Sequence, residues 1–209
     1  MTLNKNNLQD NKNCIILASG NGSNALNIIN YFLTSKKNKG INSINIVAVV
    51  SNVATAPVIE KVKKLTTFIP VFVIPFNNSS ERAIFESELE KIIINYNIGL
   101  IVLAGFMKVL SKEFVAKFPY KIINIHPSLL PSFKGKDAIK KAYDYGVKYT
   151  GVTIHYVTEE VDSGPIILQE VVKIEESDNI LSLEAKIHKV EHEIYPIALE
   201  MLANKTHKV

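Results

Sequence analysis

Two short segments hold residues suited to moving a proton and stabilising negative charge: Asn124-Ile125-His126-Pro127-Ser128-Leu129-Leu130-Pro131 and Thr158-Glu159-Glu160-Val161-Asp162-Ser163-Gly164-Pro165. Asn124 and His126 lie two residues apart at the end of a strand-like KIINI run, so both side chains point to one face. Pro127 and Pro131 stiffen the loop that follows and limit the motion of the imidazole. Asp162 lies in a turn-rich loop after the run VTIHYV, and a carboxylate brought near His126 favours the imidazolium. Asn124 and a protonated His126 can donate to an oxyanion, while Asp162 holds the imidazolium and accepts, directly or through water, the proton leaving an attacking nitrogen. That equipment suits acyl transfer to an amine and needs neither a metal nor a covalent intermediate. Each residue also has a plainer reading, since Asn and His at a strand end serve as turn and capping residues and Asp162 can cap a turn beside Gly164.

Two other patterns bear on chemistry. Ser19-Gly20-Asn21-Gly22-Ser23-Asn24 lies between a strand-like and a helix-like run. Glycines there let backbone N–H groups face outward at a helix N-terminus, which makes a phosphate cradle. The spacing is neither GxGxxG nor GxxxxGK[ST], so a dinucleotide or nucleoside triphosphate is not indicated; a tight turn with Ser23 or Asn24 as helix cap is the plainer alternative. His188-Lys189-Val190-Glu191-His192 matches H-x-x-E-H, with two histidines four apart on one helix face, and taken alone would suggest a zinc protease. No downstream acidic third ligand stands out from the other helix carboxylates, so no metal is expected.

The elements that must position these residues are legible as alternating short β-branched runs and amphipathic stretches. Strands are expected at Cys14 to Ala18, Ile44 to Val50, Val71 to Ile74, Ile98 to Ala104 and Lys121 to Ile125. Helices are expected at about Ala25 to Leu33, Val58 to Leu65 and Ser79 to Tyr96, the last opening on a Ser-Ser-Glu-Arg start signal. Such alternation predicts an α/β fold: a doubly wound, mostly parallel sheet with helices on both faces. Val152 to Val157 alternates as a half-buried strand does, and Pro165 to Ile174 forms a second run, so antiparallel strands are expected toward the C-terminal part. Asn179 to Ala203 reads as a long helix, kinked or interrupted at Pro196.

The chain has 209 residues, 47% of them apolar, with a formal charge of +4. This is enough for one substantial core, and the expected organisation is a disordered polar extension at 1–12 followed by a single domain at 13–209. No apolar run approaches the ~20 residues of a membrane-spanning helix, and the Asn-rich start lacks the apolar stretch of a secretory signal. The lysines are scattered without interleaved aromatics, so neither nucleic acid nor membrane is an expected partner. The lone Cys14 excludes an intrachain disulfide and suits a cytoplasmic protein.

SGNGSN, LAGFMKVLS, NIHPSLLPSFKG and TGVTIHYVTEEVDSGPIILQE together resemble, in order and spacing, the glycinamide ribonucleotide branch of the folate-dependent formyltransferases, from Cys14 to about Leu202. The resemblance implies a Rossmann-like formyltransferase fold and transfer of the formyl group of 10-formyltetrahydrofolate to glycinamide ribonucleotide in purine synthesis, by a cytoplasmic monomer or weak homodimer. It implies that Asn124, His126 and Asp162 are catalytic, and that Gly22, Ser23, Asn24 and Glu191 bind the ribonucleotide. Arg82, Met107, Lys108, Val109 and Leu110 would line the folate site, with Thr158, Glu159, Glu160 and Val161 as the loop beside it. Some members have Arg at the position of Lys108, and some have His where this chain has Ile139. The hydrolase relatives share the Asn–His–Asp logic but let water attack.

Overall fold

The computed structural model describes residues 11–38 and 44–204. In chain order the elements are β1 (Asn13–Ala18), α1 (Ser23–Asn38), β2 (Asn45–Ser51), α2 (Pro57–Leu65), β3 (Val71–Val73), α3 (Ser79–Asn95), β4 (Leu100–Leu103), α4 (Lys112–Lys117), β5 (Ile122–His126), α5 (Ala138–Tyr145), β6 (Tyr149–Tyr156), β7 (Ile166–Lys173) and α6 (Ile180–Ala203). One seven-stranded sheet runs in the order β3-β2-β1-β4-β5-β6-β7. The five strands β1 to β5 are parallel, and β6 and β7 are antiparallel additions. The strand order reverses between β1 and β4, which opens a crevice at their carboxyl ends where ligands of such sheets bind.

Strand pleating divides the core into two layers. Cys14, Ile16 and Ala18 of β1 face Ile28, Ile29 and Phe32 of α1, Val58 and Val62 of α2, and Leu183, Ile187 and Tyr195 of α6. Ile15 and Leu17, on the opposite face, pack with Phe85, Leu89 and Ile93 of α3 and Phe114 of α4. Each fully buried Ile, Leu, Val or Phe among them contributes roughly 1.5–3 kcal/mol. Tyr195 crosses the first layer and donates its hydroxyl to the Leu103 carbonyl at 2.9 Å, tying α6 to the carboxyl end of β4.

Several elements differ from the expected ones. Residues 1–10 of the polar extension lie outside the described residues, while Asn11 accepts from the Asn13 N–H and Lys12 accepts from Asn45 in the adjacent strand. The α3 cap is Asn78, one residue ahead of the serines, whose side chain accepts from the Ser80 and Glu81 N–H groups. β6 is buried on both faces from Thr150 to Tyr156 rather than half-buried, because it lies inside the sheet; the edge strand β7 is the half-exposed one. The long helix runs through Pro196 without interruption. A proline there frees the carbonyl four residues back, and that carbonyl, of His192, accepts from Asn27 Nδ2 at 2.6 Å. Among the described residues, no helix is long and apolar enough to cross a membrane.

Candidate active site

β5 carries Asn124 and His126 to the crevice, and the antiparallel register sets Asn124 opposite His155 and His126 opposite Thr153 on β6. The loop after β5 is pinned from below. Thr153 Oγ1 donates to the Ser128 carbonyl at 2.6 Å and accepts from the Leu130 N–H at 3.1 Å and from Gln169 Nε2 at 2.9 Å. The loop turns back so that the Phe133 carbonyl lies 2.9 Å from His126 Nε2. A carbonyl only accepts, so Nε2 carries a proton. His126 Nδ1 stands 3.3 Å from Asp162 Oδ2, and both side chains are buried. The ring is thus held by one hydrogen bond, at Nε2, while the Asp162 carboxylate faces Nδ1 as a neighbouring charge.

Asp162 itself is tightly held. Its Oδ2 accepts from the Gly135 N–H at 2.8 Å, and its Oδ1 lies 3.6 Å from His155 Nε2. Burial works to raise the carboxyl, but the His155 ring, the Gly135 N–H and the charge of both imidazoles outweigh it and hold Asp162 below the ordinary carboxylate value. Its backbone is left-handed, with φ 51°, a conformation that costs a non-glycine residue about 1–3 kcal/mol and tends to collect at functional sites. His155 was not singled out from the sequence. Its Nε2 lies 3.4 Å from Asn124 Nδ2, and its Nδ1 donates to the Tyr156 carbonyl, so it stands between Asn124 and Asp162.

A second group of contacts forms where α1 begins. Gly22 has φ 73°, and a Cβ on it would lie 2.2 Å from Val58 Cγ2. Ser23 is exposed at the helix start, and the buried Asn24 donates Nδ2 to Glu191 Oε2 at 2.9 Å while its Oδ1 is buried without a partner. The same Glu191 oxygen lies 2.9 Å from His188 Nδ1. That hydrogen bond raises His188 above its usual value, against the effect of burial. His188 and Glu191 of the H-x-x-E-H run are therefore used in a bond across to α1, whereas His192 Nε2 is buried without a partner. Among the described residues no group of three or more His, Cys, Asp or Glu side chains is arranged to hold a metal.

A third group lies beyond β4. Phe76, Phe85 and Phe106 form an apolar wall, with Arg82 5.9 Å and Lys108 5.4 Å from the Phe76 ring. Arg82 Nε is buried without a partner, and Lys108 Nζ donates to the Asn77 carbonyl at 2.9 Å. Met107 and Val109 project outward while Leu110 is buried. Ser19 links this wall to the glycine loop by accepting from the Met107 N–H at 2.8 Å and donating to Asn52 Oδ1 at 2.6 Å. Thr158, Glu159, Glu160 and Val161 form an exposed lip above Asp162. Lys134 pairs with Glu160 Oε1 of that lip at 3.8 Å and donates to Ser163 Oγ, just beyond it, at 2.6 Å. No hydrogen bond or ion pair joins Thr158–Val161 to Met107–Leu110 among the described residues.

The sheet order and the polar groups at its strand ends define a Rossmann-like α/β protein with a crevice at the carboxyl side of β1, β4 and β5. More narrowly, the chain belongs to the formyl transferase family, whose model matches residues 12–199. It is 40% identical over 198 residues to the trifunctional purine biosynthetic protein adenosine-3 of Gallus gallus, which covers 94% of this chain and 19% of that protein. The chain thus spans about a fifth of that trifunctional relative. It is 37% identical over 191 residues to the phosphoribosylglycinamide formyltransferase of Bacillus subtilis (strain 168), covering 91% of this chain and 94% of that one. The crystal structure of phosphoribosylglycinamide formyltransferase from Anaplasma phagocytophilum superposes with a TM-score of 0.84 at 36% identity, over 94% of this chain and 88% of that chain.

Proposed function

We propose that the chain transfers the formyl group of 10-formyltetrahydrofolate to the amine of glycinamide ribonucleotide, giving formylglycinamide ribonucleotide and tetrahydrofolate in purine synthesis. The observation that carries this reading is the approach of His126 Nδ1 to Asp162 Oδ2, 3.3 Å, beside Asn124. The near-full-length match to the Bacillus subtilis enzyme supports the choice of acceptor.

In this reading Asn124 Nδ2 and His126 Nδ1 donate to the formyl oxygen as it gains negative charge. Nδ1 is the available ring donor because Nε2 is committed to Phe133. Asp162, kept ionised by Gly135 and the two imidazoles, holds His126 and takes the proton that leaves the attacking amine, directly or through one water. The new bond joins the amine nitrogen to the formyl carbon, the bond from that carbon to folate N10 breaks, and N10 takes up a proton, so the balance closes.

The residues around the crevice fit both substrates. Gly22, Ser23 and Asn24 offer N–H groups to the ribonucleotide phosphate, and Glu191 offers a carboxylate to its sugar or amide. The phenylalanine wall with Leu110, the exposed Met107 and Val109, and the unpartnered Nε of Arg82 suit a flat ring bearing an anionic tail, with Lys108 and the Thr158–Val161 lip at its edges. We place the enzyme in the cytoplasm as a monomer or weak homodimer; its one cysteine, Cys14, is free and buried. The test is turnover of 10-formyltetrahydrofolate with and without glycinamide ribonucleotide. Loss of the formyl group only when the ribonucleotide is present supports the transfer, and equal loss without it makes water the acceptor and overturns it.

A further inference from the structure

The glycine loop sends its carbonyls and its N–H groups to opposite sides. The Gly20 carbonyl accepts from the Val58 N–H at 3.1 Å, and the Gly22 carbonyl accepts from Leu26 inside α1 at 2.9 Å. Between them, the Asn21 carbonyl accepts from Lys61 Nζ at 3.2 Å, and the same ammonium bonds Asn21 Oδ1 at 2.5 Å. In a trans peptide the N–H points opposite to the carbonyl that shares its plane. The N–H groups of Asn21, Gly22 and Ser23 therefore turn away from these three partners, and none of them donates to a protein acceptor among the described residues. Beside them, Asn24 is 8% exposed and leaves Oδ1 buried without a partner, an independent sign that a ligand completes this end of α1.

Two of the three carbonyl anchors, Val58 and Lys61, belong to α2. The Val58 contact is fixed by the main chain and by close packing against Gly22. The Lys61 contact depends on a side chain. Lys61 forms no ion pair among the described residues, its neighbour Glu60 being paired with Lys63 at 3.1 Å. Its charge is therefore directed at one carbonyl and one amide oxygen. A cation on a carbonyl also polarises the N–H of the same peptide and strengthens it as a donor.

We propose that Lys61 is a positioning residue of the phosphate site: by holding the Asn21 carbonyl it fixes the Asn21–Gly22 peptide with the Gly22 N–H turned toward the phosphate of the substrate. This rests on the reading of the loop as the ribonucleotide cradle. Lys61 stands behind the peptide and acts through it, so the phosphate meets N–H groups rather than the ammonium.

The test compares wild type with Lys61→Met and Lys61→Arg in two assays: steady-state turnover of both substrates, and direct calorimetric binding of ribose 5-phosphate without turnover. In Lys61→Met, the KM for glycinamide ribonucleotide and the Kd for ribose 5-phosphate are expected to rise together by about tenfold, the loss of one charge-assisted hydrogen bond. The effect on kcat is smaller, the KM for 10-formyltetrahydrofolate does not follow, and Lys61→Arg restores most of the affinity. Unchanged ribose 5-phosphate affinity in Lys61→Met overturns the proposal, as does a parallel rise in the KM of both substrates that Arg fails to restore. A wild-type protein that binds ribose 5-phosphate but never turns over the ribonucleotide refutes the functional reading instead, and the binding arm still decides the role of Lys61.

Discussion

Asn27 supplies the hydrogen bond that Pro196 denies to His192: the His192 carbonyl, left without its helical donor, accepts from Asn27 Nδ2 at 2.6 Å. The pair explains how α6 carries a proline and still spans Ile180–Ala203. It also fixes α6, and with it Glu191, against α1. Removing Asn27 strands a carbonyl, at a cost of about 1–3 kcal/mol. Asn27→Ala is therefore expected to lower unfolding stability by that amount. In a Pro196→Ala background, where the helix restores its own donor, the same change should cost well under half as much. Denaturant unfolding of the four proteins measures the coupling, and equal losses in both backgrounds would refute the account.

The same pair marks what the sequence could and could not say. Pro196 was visible as an obstacle to a helix, but its remedy lies in a residue far away in the chain, so an interruption was the natural expectation. The buried strands were legible because β-branched runs such as Cys14–Ala18 have little other use, and Asn124 and His126 were legible from their spacing at a strand end. The helices α4 and α5 were not read. α4 has only six residues, and the apolar face of α5 (Ala138, Ile139, Ala142 and Tyr143) extends over little more than one turn, so neither stripe is long enough to stand out in the sequence. His155 was passed over because in VTIHYV it looks like one polar residue in an alternating strand. Only the antiparallel register with Asn124 reveals which face it serves.

Gly22 is required twice over. Its φ of 73° is left-handed, and a Cβ would lie 2.2 Å from Val58 Cγ2. Gly22→Ala should destabilise the fold by about 1–3 kcal/mol through backbone strain, and more if α2 cannot shift. Whatever shift occurs moves the loop, so the KM for the ribonucleotide should rise while that for the folate substrate stays near wild type. Thermal melting and steady-state kinetics check both halves, and a stable variant with unchanged KM would contradict them.

Asp162 links the site to acid stability. Its folded carboxyl titrates below its ordinary value, which is about 3.9 for an unperturbed Asp. A depressed folded value means that its stabilising contribution is fully present above the ordinary value and is lost as pH falls through the folded one. The stability difference between wild type and Asp162→Asn should therefore be flat at mildly acid pH and shrink below about pH 4. A difference that grows toward acid pH would show the sign to be wrong.

Thr153 holds the loop that turns Phe133 onto His126, through Ser128, Leu130 and Gln169. Thr153→Val keeps the shape and removes the hydroxyl, leaving the Leu130 N–H without its acceptor. A slack loop misplaces the imidazole, and a displacement near 1 Å can cost on the order of 100-fold in rate. The variant should lose between ~3- and ~100-fold in kcat and remain folded, with a stability loss of about 1–3 kcal/mol from the unpaired Leu130 N–H. Full activity would mean that the remaining contacts of the loop suffice.

The roles proposed for Asn124, His126 and Asp162 predict different kinetic signatures. Asn124→Ala and His126→Ala each remove a donor to the developing oxyanion and should lose ~10²- to 10³-fold in kcat. Neither donor acts alone, because His155 Nε2 lies 3.4 Å from Asn124 Nδ2 and 3.6 Å from Asp162 Oδ1. The Asn124→Ala,His126→Ala double variant should therefore lose less than the product of the single losses, as groups acting on one atom do. Asp162→Asn removes both the partner of His126 and the proton acceptor, so its loss in kcat should be at least as large as that of either single donor variant. Substrate binding should be largely kept, since Asp162 contacts only Gly135 and the two imidazoles among the described residues. Near-normal turnover of Asp162→Asn would remove it from the proton path and leave the mechanism without a base.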